Sequence, residues 1–428
     1  MARGRDFSLP AVGAPPRRAK TPAQGMRGEK GDDPGMRGTG WPSPFGSIAV
    51  VLLSALAGCG GVANEPGAPP APPTLLDVRE RLFHDPSLSA SGQQACATCH
   101  QAHRAHADPE GTFLPFGGAT LHEEGLRSSP SLRYLDAAGP FQILGPGSAK
   151  GGLFWDGRAD SRTAQARGPL FSPIEMANAD VPAFIGRLRS VPYFADLVAA
   201  ASLASSASDG DLLDAALRAL DAYQAGDLEF HPLNSRYDAF LEGRGELTAQ
   251  EARGLRLFDD PASGNCKACH PSAPGADGAK PLFTNFSYFA LGAPRNHGRS
   301  NDDPEFFDLG LCGPRRTDLA GRPDLCGMFR VPTLRNVART APYFHNAAFR
   351  TLQEAVYFHA TRDTNPERWY PSVNGLVQKF DDLPAIYRDN VTAIAPFGGA
   401  AGAPPPLSPQ DVDDIVAFLR TLSDGIVP

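Results

Sequence analysis

Two short stretches carry the chemistry most readily read from this chain: "CATCH" (Cys96–His100) and "CKACH" (Cys266–His270). The C-x-x-C-H spacing is that of c-type haem attachment. Two thiols can add to the porphyrin vinyl groups, and the adjacent imidazole supplies the proximal iron ligand. Zinc sites and redox pairs share the pattern when it occurs once. Two copies downstream of an export-like leader single out haem. Two covalently bound c-type haems are therefore expected, attached through Cys96, Cys99, Cys266 and Cys269, with His100 and His270 as proximal ligands.

The surroundings repeat as well. "RLFHDPSLSASGQQACATCH" and "RLFDDPASGNCKACH" share R-L-F-x-D-P and a serine ahead of the box, which implies a duplicated helical module whose core is completed by the porphyrin. A helix is predicted over 208–226, with Leu212, Ala216 and Leu220 on one face and Gly226 as its stop. Thr248 and Glu251 form a capping box leading to the second haem unit. Ser408 and Pro409 open a last helix with the stripe Val412, Ile415, Val416 and Leu419. Strand signals are sparse. The expected fold is mainly α and loop-rich: two cytochrome-c-like helical haem domains, 74–245 and 246–428, preceded by a disordered tether, with the boundary in "EGRGEL" at 242–247.

The chain has 428 residues and a net charge of −7, with 42 prolines and 45 glycines. The charge leaves no basic footprint for nucleic acid. Residues 1–58 read as a leader, with Met26 and Met36 as alternative starts. Arg37, the apolar run "SIAVVLLSALAG" and Cys59 follow Met36. The run is short for a bilayer span and fits a secretory h-region. "LAGC" resembles a bacterial lipoprotein signal, which would make Cys59 an acylated first residue and anchor the protein to a membrane facing the periplasm. An ordinary signal peptide with a chance cysteine is the alternative. Residues 59–73 read as a flexible tether. Cys312 and Cys326, 14 positions apart, are expected to form a disulfide, as export permits.

Two longer segments, "FWDGRADSRTAQARGPLFSPIEM" (Phe154–Met176) and "PTLRNVARTAPYFHNAAF" (Pro332–Phe349), resemble the bacterial di-haem cytochrome c peroxidase family, which includes the MauG type. The resemblance spans roughly residues 75–425. It implies an N-terminal peroxidatic domain and a C-terminal electron-accepting one, often in a homodimer. Trp155 matches the electron relay between the haems. Gln165, Pro169 and Glu175 match residues lining the peroxide pocket. Thr340 and Pro342 match positions offering backbone oxygens to calcium, and Ser128 stands where the third ligand is usually Asn. The implied reaction is reduction of hydrogen peroxide to water with electrons from a small cytochrome c or a cupredoxin. Glu175 would shuttle the proton and Gln165 orient the peroxide. A MauG-type oxidase modifying a partner protein is the alternative, and a non-catalytic electron-transfer cytochrome a third.

The sixth iron positions are where this chain departs from the family. Counting from "SSPSL", the removable distal histidine of the first haem falls on Thr120, which is no ligand. Either the first site is open, which is the expectation, or His122 closes it through a shifted loop. His103 and His106 are expected to be solvated. At the second haem the family's Met or Tyr lies 14 residues after the histidine of "APYFH". That histidine is His345, so the position is His359. Leu352, Ala355, Val356 and His359 share one helical stripe, Tyr357 points elsewhere, and Thr351 and Glu354 form the capping box. A bis-histidine second haem is expected, with a lower potential than a His/Met one. The alternative is a buried core histidine.

Overall fold

Side-chain caps set most helix starts. In the computed structural model, which describes residues 75–109, 114–204, 206–299 and 302–425, ten helices are formed. The first six are α1 (Leu75–His84), α2 (Cys96–Cys99), α3 (Arg162–Phe171), α4 (Val181–Leu188), α5 (Phe194–Ala200) and α6 (Asp209–Gly226). They are followed by α7 (Arg236–Leu241), α8 (Ala249–Asp259), α9 (Leu352–Thr361) and α10 (Pro409–Arg420). The capping boxes at Ser208, Thr248, Thr351 and Ser408 are all made, each satisfying backbone N–H groups that the helix leaves free. Gly226 is the last residue of α6 rather than the first beyond it; Asp227 caps the end. The leader, Cys59 and the tether lie outside the described residues.

The strands are four antiparallel ribbons, pairing β1 (Phe116–Gly117) with β2 (Glu123–Glu124), β3 (Gln142–Gly145) with β4 (Ser148–Lys150), β5 (Tyr288–Phe289) with β6 (Phe329–Arg330), and β7 (Ser372–Val373) with β8 (Leu376–Val377). The rest is turn and loop, as the proline and glycine content implied.

Apolar side chains gather in two main clusters. One, from Val78 to Phe230, packs α1 against α6 with Phe83, Leu212, Ala216 and Leu220 at its centre. The other, from Tyr237 to Leu422, packs α8 against α10 through Phe258, Val412, Ile415 and Leu419. Each such fully buried side chain contributes about 1.5–3 kcal/mol. Phe83 and Phe258 are both the Phe of the repeated R-L-F-x-D-P motif, and both are 1% exposed. Gly254 lets α8 and α10 cross closely: a Cβ there would lie 2.0 Å from the Asp414 carbonyl. Cys312 and Cys326 form a disulfide. No helix among the described residues is long and apolar enough to cross a membrane.

Candidate haem sites

The second box opens onto a cavity of about 260 Å³ whose walls include Cys266, Cys269, His270 and His359. His270 Nδ1 donates to the Phe283 carbonyl at 2.7 Å, and His359 Nδ1 to the Ala355 carbonyl at 2.7 Å. A carbonyl can only accept, so both rings carry their proton on Nδ1 and leave the Nε2 lone pair free, the arrangement that orients an iron ligand. Burial lowers both imidazole pKa values, that of His270 to about 4, which keeps the ligating neutral form at neutral pH. Leu352, Ala355 and Val356 line the same cavity, so the predicted stripe of α9 faces it. Phe344 and Phe397 hold the His359 ring, at centroid distances of 5.7 and 5.3 Å. Tyr357 turns away, towards Trp369 and Arg368.

The first box is built alike. His100 Nδ1 donates to the His106 carbonyl at 3.0 Å, and burial lowers its pKa to about 4. Glu175 follows α3 in a tight turn. Its carbonyl accepts from Gly118 N at 2.8 Å, so the β1–β2 ribbon lies against it. Gly117 is required there, because a Cβ would sit 2.3 Å from the Ile174 carbonyl. Burial raises the Glu175 pKa, and a hydrogen bond with the Ser172 side chain and the charges of Arg315 and Arg158 pull it only partly back. The carboxylate is near enough to the box to raise the Cys99 pKa. Gln165, on α3, is buried. His122 lies at the turn of the same ribbon with an exposed ring. His103 is exposed, but His106 is not solvated as expected: it is 1% exposed and stacks on Phe230 at 4.1 Å. Its carbonyl is committed to His100, which draws the residue into the core.

The four box thiols are unpaired, and burial pushes Cys96, Cys99 and Cys266 up to about 12 and Cys269 to about 11. No group of three or more His, Cys, Asp or Glu side chains among the described residues could hold a metal ion. The residues fit a covalently attached porphyrin: thiols at the rim, a fixed Nε2 beneath, apolar walls around.

The duplication runs further than the box motif. Leu132 N donates to the His106 carbonyl and Leu334 N to the Phe283 carbonyl, the acceptors used by the two proximal histidines. Ser131 Oγ donates to Ala105 O at 2.6 Å and accepts from Arg133 N; Thr333 Oγ1 donates to Leu282 O at 2.6 Å and accepts from Arg335 N. Tyr134 and Asn336 then both take positive φ, 63° and 62°. The sequence signal is "PSLR" against "PTLR", which motif reading from the boxes alone missed. A second repeat aligns Leu153–Pro169 with Tyr343–His359. The Leu153–Ala159 bridge matches the Tyr343–Phe349 bridge, the caps Ser161 and Thr351 match, and Phe154 and Phe344 share φ values of 66° and 69°. On this alignment Trp155 pairs with His345, and Pro169 on α3 stands where His359 stands on α9.

The two halves exchange contacts here. Ser128 N donates to the His345 carbonyl and Arg330 N to the Trp155 carbonyl, both at 2.8 Å. Trp155 Nε1 donates to the Ser128 carbonyl at 2.9 Å, and Trp155 lines the second-box cavity. Arg127 ties Asp308 (2.6 and 2.8 Å) to Asp156 (2.7 Å). Ser128 Oγ donates to the Phe344 carbonyl at 2.9 Å. Arg104 bonds the Ala341 carbonyl, between Thr340 and Pro342. Those three residues thus offer neutral oxygens only, beside a fixed positive charge.

The family model described as di-haem cytochrome c peroxidase matches residues 77–246. The chain is 35% identical over 380 residues to the methylamine utilization protein MauG of Paracoccus denitrificans, covering 87% of this chain and 94% of that one. It is 27% identical to the cytochrome c551 peroxidase of Pseudomonas aeruginosa, over 89% and 91% of the two chains. The crystal structure of the diheme peroxidase BthA from Burkholderia thailandensis superposes with a TM-score of 0.75 at 38% identity, covering 82% of this chain and 86% of that one. With two boxes built to hold c-type haems and relatives along nearly its whole length, the chain belongs to the di-haem cytochrome c peroxidase family of oxidoreductases.

Proposed function

We propose that the protein is a di-haem peroxidase that reduces hydrogen peroxide to two waters, consuming two electrons and two protons, with a small periplasmic cytochrome c or a cupredoxin as donor. The carrying observation is Glu175, a half-buried carboxyl whose desolvation raises its pKa, beside the first box, on a half where Pro169 replaces the histidine found at the equivalent helix position. When bound, the haems supply an iron for the peroxide oxygen and the store of electrons. Glu175 takes the proton from one peroxide oxygen and returns it to the departing one. Gln165 orients the substrate. Trp155, bonded to a backbone carbonyl rather than to a base, is the relay. His359 is the sixth ligand of the second iron, with residues 246–428 as the electron-accepting domain and 74–245 as the peroxidatic one. Steady-state reduction of peroxide with reduced cytochrome c as donor tests the reading; no turnover with either donor class would sink it.

The MauG-type reading, oxidation of a partner protein's side chains, is favoured by one observation: the second site offers His359 where a methionine would serve a peroxidase. Peroxide-driven modification of a partner without donor-dependent turnover would establish it. A purely electron-transferring cytochrome requires both irons to be six-coordinate, which electron paramagnetic resonance of the oxidised and half-reduced protein reports directly.

Calcium at Ser128, Thr340 and Pro342 is a subsidiary proposal. Neutral oxygens alone make a weak site, with a Kd on the order of 10⁻⁴–10⁻³ M. Chelation followed by calcium titration is expected to restore inter-haem electron transfer in that range; indifference to chelator rejects the ion. Acylation at Cys59, anchoring the protein on the periplasmic face of a membrane, is checked by palmitate labelling of the protein and of Cys59→Ala.

A further inference from the structure

The two halves differ most in the chain between proximal histidine and P-[ST]-L-R motif. From His270 to Pro332 it is about twice as long as from His100 to Pro130. The extra length holds the disulfide-closed loop 312–326, and this loop packs on the first half. Arg316 Nη1 donates to the Asp156 carbonyl at 3.0 Å, its guanidinium lies 3.8 Å from the Phe141 ring centroid, and Asp324 accepts from Gly147 N at 2.9 Å. Arg316 itself is held in a two-toothed pair with Asp318, both contacts 2.9 Å. The loop is therefore clamped at several points, with Arg315 next to the clamp.

Arg315 has a different environment from Arg316. It lines a cleft of about 350 Å³ with Pro314, Leu126, Ile174 and Arg299 and with two carboxylates, Glu124 and Asp303. Ile174 is the neighbour of Glu175, and the Glu175 carboxyl feels the Arg315 charge. Arg299 faces Glu124 at 3.9 Å, whereas the Arg315 side chain makes no ion pair among the described residues. An arginine held in no ion pair among the described residues, fixed by a stapled loop within electrostatic reach of the proton-shuttling carboxyl, has donors to offer a small anion.

We propose that Arg315, delivered from the second half, is a specificity-determining residue of the first haem's pocket: it draws small anions through this cleft and favours the anion that forms when Glu175 takes the peroxide proton. The inference deepens the peroxidase reading and rests on it for the identity of the substrate, though not for the anion preference. A guanidinium there favours the ionised carboxylate that can accept the peroxide proton. It also stabilises the anion that the transfer leaves. Leu126 and Ile174, with Phe306 nearby, give the cleft apolar walls that admit small ligands without competing for the charge.

The experiment titrates the oxidised full-length holoprotein with azide and with fluoride, and the reduced protein with carbon monoxide, an uncharged ligand. Arg315→Ala is expected to weaken azide and fluoride about tenfold, the scale of a lost charge-assisted hydrogen bond. Carbon monoxide affinity should stay unchanged, and Arg315→Lys should keep most of the anion affinity. Anion affinities within twofold of the parent in Arg315→Ala overturn the proposal. So does an equal loss for all three ligands, which would make Arg315 only a prop for the loop, and so does a parent that binds neither anion. Donor-dependent peroxide turnover is measured on the same samples. Its absence in the parent defeats the peroxidase reading, while a selective anion loss would still uphold the role of Arg315.

Discussion

The two halves of the chain repeat one proximal side and diverge on the distal side. Beneath each box the histidine bonds a carbonyl that also accepts from the P-[ST]-L-R segment. That detail is duplicated because an iron needs one fixed Nε2 whatever its task. Above, the scaffold is still shared down to the cap and the positive-φ phenylalanine, but a single helix position separates Pro169 from His359. Proline has no lone pair to give, so on the proposed reading the first site stays open to substrate while His359 closes the second. The second divergence is the stapled loop, by which the second half contributes to the first half's pocket. Asymmetry in this duplicated fold thus rests on little: one distal residue exchanged and one loop grown.

The largest expected effect breaks the asymmetry at the reaction itself. Glu175→Gln should lower peroxide turnover about 10²–10⁴-fold, the usual contribution of a positioned acid–base group, with the optical spectra of both haems intact. Parent turnover should fall as pH drops through the raised Glu175 pKa, since protonation removes the base; the variant should lose that limb. A flat pH profile in the parent would deny Glu175 the role.

Next comes an exchange of distal residues. Pro169→His is expected to turn the first haem low-spin and to abolish peroxide binding, while His359→Ala makes the second haem high-spin, both read by electron paramagnetic resonance. A second-haem signal indifferent to His359→Ala would remove His359 from the ligand set. A first haem that stays high-spin in Pro169→His would show that the α3 backbone does not approach its iron as α9 approaches the other.

Much of this was legible in the sequence. The haem boxes, the capping boxes at Thr248 and Thr351 and the α9 stripe were found because each is a local pattern with one physical cause. The place of His359 on the cavity wall followed from helical periodicity and from the offset after His345 that the family resemblance implies. What escaped was non-local. His106 looked like a loop histidine, and only the fold shows that its backbone serves His100 and so pulls the ring inside. The Arg315 loop looked like a disulfide-tied excursion; that it crosses to the other half depends on Asp156 and Phe141, which no spacing rule connects to it. The Trp155/His345 correspondence was present in the sequence but hidden, because the paired residues differ in type and the shared property is backbone conformation.

A third test concerns the cement of the halves. Arg335 and Asp238 form a buried two-toothed pair at 2.9 and 2.8 Å. In the first half the matching Arg133 meets, among the described residues, only Asp424, at 3.5 Å, a carboxylate that also lies 3.8 Å from Arg335. Removing one partner of a buried pair costs about 3–5 kcal/mol, so Asp238→Asn should destabilise the holoprotein strongly in denaturant melts, and Arg133→Gln far less. Burial disfavours the Asp238 charge, but the Arg335 bonds outweigh it and hold the pKa below the ordinary carboxylate range. A lowered acid pKa contributes stability above the unfolded value of about 3.9 and loses it as pH falls through the folded one. The parent's acid unfolding should therefore lie below that range, and Asp238→Asn should remove this part of the pH dependence.

The smallest effect is the most exacting test of the repeat. Ser131 and Thr333 make the same two bonds, to Ala105 O and from Arg133 N in one half, to Leu282 O and from Arg335 N in the other. Alanine at either position strands a donor and an acceptor and should cost about 1–3 kcal/mol. If the proximal loops are equivalent, the two losses agree closely, and the double variant equals their sum, as expected for sites sharing no partner. Exchanging the residues, Ser131→Thr with Thr333→Ser, keeps both hydroxyls and should leave stability within about 0.5 kcal/mol of the parent. Unequal losses would mean that the halves have drifted apart on the proximal side as well. The distal proline and the stapled loop would then no longer suffice to explain the proposed division of labour between the two haems.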